Sequence, residues 1–172
     1  DTTIGSDIAA NGKGAKVTAK SLGKLDGDVT TDADGSVELT FKEGAAWTGD
    51  NGGNTTMSLS KGSWNGANTG KLNAALTNGT TWTGDSSGAG STIKLDASTW
   101  NGANSGANAV INLTDSSWTG DNSGAGVTIT ANNSKWNGSA NAAGSAALTN
   151  GSIWTGASTS ADFSLTLNGS TW

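Results

Sequence analysis

The chain contains no cysteine, histidine, tyrosine or proline, and all nine of its basic residues are lysines. Each absence removes a class of chemistry. Without cysteine there is no disulfide framework and no thiolate site. Without histidine no side chain has an ordinary pKa near neutrality, and carboxylates and lysines are all that remain for acid–base work. A net charge of −5, from fourteen acidic residues against nine lysines, leaves no basic footprint for nucleic acid or an anionic membrane surface. No apolar run reaches the roughly 18 residues of a transmembrane helix, so no membrane insertion of this segment is expected. No signal peptide stands at Asp1; an exported protein is expected to have lost its signal already. Apolar residues make up only 33% and aromatics 6%, which on composition alone suggests disorder.

What is present overturns that suggestion. Tryptophans stand at Trp47, Trp64, Trp82, Trp100, Trp118, Trp136, Trp154 and Trp172, with a first interval of 17 residues and 18 thereafter. Flexible linkers do not keep such time, and self-similarity at a fixed period marks a repeat architecture. The first seven are followed alternately by Thr-Gly and Asn-Gly (WTGD, WNGA, WTGD, WNGA, WTGD, WNGS, WTGA), so a larger unit of 36 residues overlies the smaller. "AALTNG" recurs at 74–79 and 146–151, four units apart.

A short alternating run precedes most tryptophans: "MSLS", "IKL", "VINL", "VTIT" and "FSLTL". Period-two alternation with β-branched residues predicts strands with one face buried. In four units the large apolar pair lies seven and five residues before the tryptophan, and Ile129 and Ala131 take these places in a fifth. Leu76, Leu148 and Phe41 lie six before, so a residue gained in one turn is lost in another. Glycine- and asparagine-rich corners leave no room for crossover helices. The predicted fold is all-β: a single-stranded right-handed parallel β-helix (β-solenoid) with 18-residue coils. A left-handed helix runs at the same period, but its hexapeptide rule is not obeyed. Residues 46–172 form the regular repeats, about 34 Å of rod at the sheet spacing. Residues 1–45 read as irregular N-terminal coils or a cap.

Equal coils lay equivalent residues over one another, so the eight tryptophans are expected as one interior file, each offset-stacked pair adding about 0.5–1.5 kcal/mol. An exposed aromatic stripe, the alternative, would be a large apolar patch inviting aggregation. The glycine two residues after each tryptophan suits a corner where a side chain would clash or φ is positive.

Candidate chemistry is sparse. Asp50, Asp85 and Asp121 share one position in alternate coils, about 9.6 Å apart, too far for a carboxylate dyad. They read as corner residues holding Asx-type turns. The acidic run Asp26, Asp28, Asp32 and Asp34 lacks the spacing of an EF-hand loop. Outward Thr-x-Thr pairs, as an ice-binding face requires, number one among five candidate pairs, at Thr128 and Thr130. "NGT" and "NGS" match the glycosylation sequon but recur because the turns recur. No catalytic, cofactor or metal residues are assigned, and no enzyme is expected.

The segments "LTLNGSTW", "INLTDSSWTGD" and "SIWTGAS" carry a family likeness. A short apolar strand, an Asn/Asp-Gly/Ser turn and Trp-Thr-Gly resemble the passenger domains of autotransporters (type V secretion), in particular the pertactin-like and AIDA-like adhesin group. The resemblance covers about 37–172. It implies a right-handed β-helix exported to the surface of a Gram-negative bacterium by a C-terminal β-barrel, this segment being a passenger fragment or processed product. It implies a non-enzymatic adhesin or self-association module whose partners are identical chains or host surface and matrix molecules, glycans included. A stalk or filament-forming solenoid segment is the alternative. "GDSSG" at 84–88 is loosely similar to the nucleophile motif of the family's serine-protease branch, but stands at a repeat corner in a chain without histidine.

Overall fold

The computed structural model describes residues 2–172, and among them there is no helix. Strands β1 (Thr2–Ile4), β2 (Ile8–Ala10), β3 (Lys16–Asp26), β4 (Val29–Thr31) and β5 (Ser36–Thr48) come first. Each later coil carries a longer strand and then a three-residue strand centred on tryptophan. The first such pairs are β6 (Thr55–Ser60) with β7 (Ser63–Asn65), β8 (Leu72–Thr77) with β9 (Thr81–Thr83), and β10 (Thr92–Asp96) with β11 (Thr99–Asn101). They continue as β12 (Val110–Thr114) with β13 (Ser117–Thr119), β14 (Val127–Asn132) with β15 (Lys135–Asn137), and β16 (Gly144–Thr149) with β17 (Ile153–Thr155). The last strand is β18 (Phe163–Asn168).

All pairings are parallel, and they run from coil to coil. The short strands stack β5-β7-β9-β11-β13-β15-β17 and the long ones β5-β6-β8-β10-β12-β14-β16-β18, both files meeting in β5. The molecule is thus a β-solenoid of about nine turns. A third side is closed by single-residue bridges through Val29, Asn51, Asn68, Ser86, Asn104, Asn122, Ala140 and Ser158. Such coils are too short and polar to stand alone; stacking gives them a continuous core.

The register explains the leucines that sit six residues before tryptophan. Leu76 pairs with Leu59 on one side and Leu95 on the other, so the long strands stay aligned. The extra residue lies in the corners Asn78-Gly79-Thr80 and Asn150-Gly151-Ser152. There Asn and Gly both take positive φ, 56° and 85° in the first, 54° and 76° in the second. The shorter corners have one such residue each: Lys61, Ala97, Asp115 and Asn133, with φ between 47° and 51°.

Before residue 46 the same sheet continues without tryptophan. Leu25 pairs with Trp47 and Leu22 with Phe41, and Ile4 pairs in turn with Leu25. The tryptophan slot is therefore filled by Leu25 and Ile4, in longer coils of 22 and 21 residues. The core is one column of buried side chains, with tryptophan along one wall and Met57, Leu59, Leu76, Ile93, Leu95, Ile111, Leu113, Ile129 and Leu148 along another.

Candidate binding surface

What the interior uses up decides what the surface has to offer. Trp47 to Trp154 are each 0–1% exposed, whereas Trp172 is 56% exposed because a ring covers only one of its faces. The expected interior file therefore holds for seven rings, and the eighth lies half in water. Every indole Nε1–H, that of Trp172 included, donates to the carbonyl of the glycine two residues past the previous tryptophan position, at 2.7–3.0 Å. This satisfies the donor that makes a buried tryptophan costly. The same glycines stack so closely that a Cβ on Gly102 would lie 2.0 Å from the Gly84 carbonyl oxygen. Close approach, more than turn conformation, demands glycine there.

Two polar ladders run inside the solenoid. Ser98, Ser116 and Ser134 each donate a backbone N–H to the hydroxyl of the serine one coil on, at 3.0 Å, ending at Ser152. On the third side Asn51 donates its amide to Asn68 Oδ1, and Asn104 to Asn122 Oδ1, both at 2.7 Å. Between these pairs stands Ser86, to whose hydroxyl Asn68 donates at 3.1 Å. There the amide ladder breaks, and Asn104 Oδ1 is buried without a partner. Neither ladder was singled out in the sequence reading. The signal was present nonetheless, as a serine two residues before Trp100, Trp118, Trp136 and Trp154 and an asparagine four after Trp47, Trp64, Trp100 and Trp118.

The corner carboxylates also act between coils. Asp50, Asp85 and Asp121 accept the backbone N–H of Ala67, Ala103 and Ser139 one coil further on, at 2.7–2.8 Å. Their bonds run across the stack, not within an Asx turn. The structure extends the file to Asp28 and Asp7, which accept from Asp50 and Asp28. The rest of the acidic run disperses: Asp26 pairs with Lys24 at 3.0 Å and Asp32 accepts the Gly12 N–H. Among the described residues no three acidic side chains converge on a point fit for a metal ion. Ser86 of "GDSSG" is fully buried in the amide ladder.

Two outer faces remain. The long-strand face is mixed: Thr128 and Thr130 point outward, but their neighbours are Val110, Asn112, Ser145 and Ala147, so no threonine lattice forms. A shallow groove of about 300 Å³ crosses this face beside Glu38, Thr56, Asn73, Ala75 and Lys94. The short-strand face carries little charge, Lys135 being the one ionisable residue of its three-residue strands. Following the tryptophans, Thr48, Asn65, Thr83, Asn101, Thr119, Asn137 and Thr155 stack in register, alternating threonine with asparagine at every coil. All seven are exposed, and none of their hydroxyl or amide groups has a hydrogen-bond partner among the described residues. The rod thus presents a straight row of unused donors and acceptors, one every 4.8 Å or so.

Fold and surface define a parallel β-solenoid with a tryptophan-lined core and a polar outer row. No protein-family model, curated protein or solved structure matches the chain.

Proposed function

We propose that the protein is a non-enzymatic cell-surface rod that mediates adhesion or self-association of bacterial cells, built as an autotransporter passenger of the pertactin-like and AIDA-like group. Its place is the outer surface of a Gram-negative bacterium, and its partners are identical chains or host matrix molecules and glycans. The unpaired row from Thr48 to Thr155 carries this reading. Because the row alternates strictly, a second copy laid against it and offset by one coil sets threonine opposite asparagine at all six facing positions. Each asparagine amide then donates to a threonine oxygen, and each hydroxyl donates back. The strip measures about 30 Å by 10 Å, well under the roughly 800 Å² per partner of a stable complex. A single contact is therefore weak, and many rods on one surface are needed to hold by avidity.

Sedimentation velocity over rising concentration tests this. Reversible side-by-side dimers are expected, and their loss when Thr83, Asn101 and Thr119 are all replaced by lysine. A chain that stays monomeric at every concentration, or pairs equally well with the three lysines, overturns the reading. The alternative is a stalk or filament segment whose coils stack end to end on identical chains. It predicts open-ended growth instead of dimers.

A further inference from the structure

Six Asn-Gly steps lie between Trp47 and Trp154, at Asn51, Asn65, Asn78, Asn101, Asn137 and Asn150. Asn-Gly is the dipeptide most prone to spontaneous deamidation, because glycine puts no side chain in the way when its nitrogen attacks the asparagine amide. Here all six glycine nitrogens are tied to another coil. The N–H groups of Gly66, Gly102 and Gly138 donate to the carbonyls of Thr83, Thr119 and Thr155 at 2.9–3.0 Å. Gly79 and Gly151 donate to Ala97 and Gly169, and Gly52 to Val29, at 2.6–2.8 Å. Three of the asparagines are held a second time, through their own amides. Asn51 is buried and donates to Gly53 and Asn68, Asn78 donates to Ser60 Oγ, and Asn150 to Asn132 Oδ1. Asn65, Asn101 and Asn137 are exposed, and their amides have no such partner among the described residues. At these three, one backbone bond between coils holds the reacting groups apart.

We infer that Asn65, Asn101 and Asn137 are latent deamidation sites, which coil stacking keeps closed and coil opening releases. Ring closure needs the glycine nitrogen to give up its proton and turn toward the asparagine Cγ. It does neither while its N–H points at the threonine carbonyl of the next coil. When that contact opens, the nitrogen attacks Cγ, a C–N bond forms, and the Cγ–Nδ2 bond breaks as ammonia leaves with the proton. Water then adds to one of the two imide carbonyls and opens the ring, giving aspartate or isoaspartate, whose acid proton passes to the ammonia. The sum is one water consumed, one ammonium released and a neutral amide exchanged for a carboxylate, with no change of oxidation state. Isoaspartate carries its main chain through the β-carbon, so a coil that has reacted to it no longer matches the path of its neighbours. Each event also puts a negative charge in the Thr/Asn row, and like charges across a paired row repel. That consequence rests on the pairing role proposed above; the gating does not.

Incubation of the unsubstituted protein in warm, mildly alkaline buffer tests the gating, with a second sample held in concentrated urea. Peptide mass mapping follows aspartate and isoaspartate at each site. Folded, the three sites should react at least about tenfold more slowly than unfolded, because reaction waits on local opening. Gly120→Ala then loosens one contact. Its Cβ would lie 2.0 Å from the Gly102 carbonyl oxygen, between the two coils that the Gly102–Thr119 bond joins. Deamidation should rise at least about threefold at Asn101 and stay slow at Asn65, which is held by the Gly66–Thr83 bond. If that variant does not fold, urea below the unfolding midpoint serves on the unsubstituted chain, where deamidation at Asn101 must rise in step with hydrogen exchange of the Gly102 amide. A smaller protection in the folded chain, or a rate at Asn101 unmoved by Gly120→Ala and by urea, overturns the inference. The charged product is mimicked by Asn65→Asp, Asn101→Asp and Asn137→Asp together, which should stay monomeric in sedimentation at concentrations where the unsubstituted chain pairs. Undiminished pairing by this variant refutes the consequence for association. Failure of the unsubstituted chain to pair at all counts against the reading of the row and not against the gating, which the rates decide.

Discussion

Replacing Ser86 by asparagine should stabilise the protein, although the substitution puts a larger polar side chain in the core. Ser86 is fully buried between Asn68 and Asn104 on the third side of the solenoid. The neighbouring coils at this position hold asparagine, whose amides bond at 2.7 Å where two of them follow one another. Serine is too short to continue the run, which leaves Asn104 Oδ1 without a donor. An amide at 86 takes over as acceptor for Asn68 Nδ2 and donates to Asn104 Oδ1. Relieving a buried unsatisfied oxygen is worth about 1–3 kcal/mol, new hydrogen bond included. Ordering the longer side chain costs about 1 kcal/mol. The net expectation is a gain of up to about 2 kcal/mol, at roughly 2–4 °C in midpoint per kcal/mol for a domain of this size. Ser86→Ala, which removes the acceptor of Asn68 at 3.1 Å, should lose about 1 kcal/mol. Thermal unfolding followed by far-ultraviolet circular dichroism reads both. A Ser86→Asn protein whose midpoint is unchanged or lower would refute the account of the broken ladder, most directly if its crystal structure showed the amide bonded as described.

Gly102→Ala should destabilise by about 3 kcal/mol, because its Cβ meets the Gly84 backbone, which has nowhere to move. Gly79→Ala meets no atom within 4 Å and should cost only about 1–2 kcal/mol, for its positive φ; denaturant melts of the two compare clash with conformation directly. Acrylamide or iodide should quench one tryptophan in eight, and Trp172→Phe should abolish that accessible fraction; quenching of the other seven would mean that the file is open to water.

The repeat was legible before any coordinates because equal path lengths around a coil impose translation. Once a residue type recurs every 18 positions on short alternating strands, stacking puts like on like, and Trp64, Trp82 and Trp100 must meet. The one-residue offset of Leu76 and Leu148 was legible for the same reason, since the total length of each coil was unchanged. The first 45 residues were harder: Leu25 and Ile4 occupy the tryptophan slot in coils of a different length, and nothing local marks them as equivalents. The function of the corner aspartates was not legible either, because their partners are backbone donors a whole coil away. The broken amide ladder at Ser86 and the free Thr/Asn row belong to the same class. Period and alternation follow from the order of residues along the chain, which a sequence states outright. Which donor meets which acceptor across neighbouring coils, and which row is left without such a bond, depends on distances that exist only once the coils are stacked.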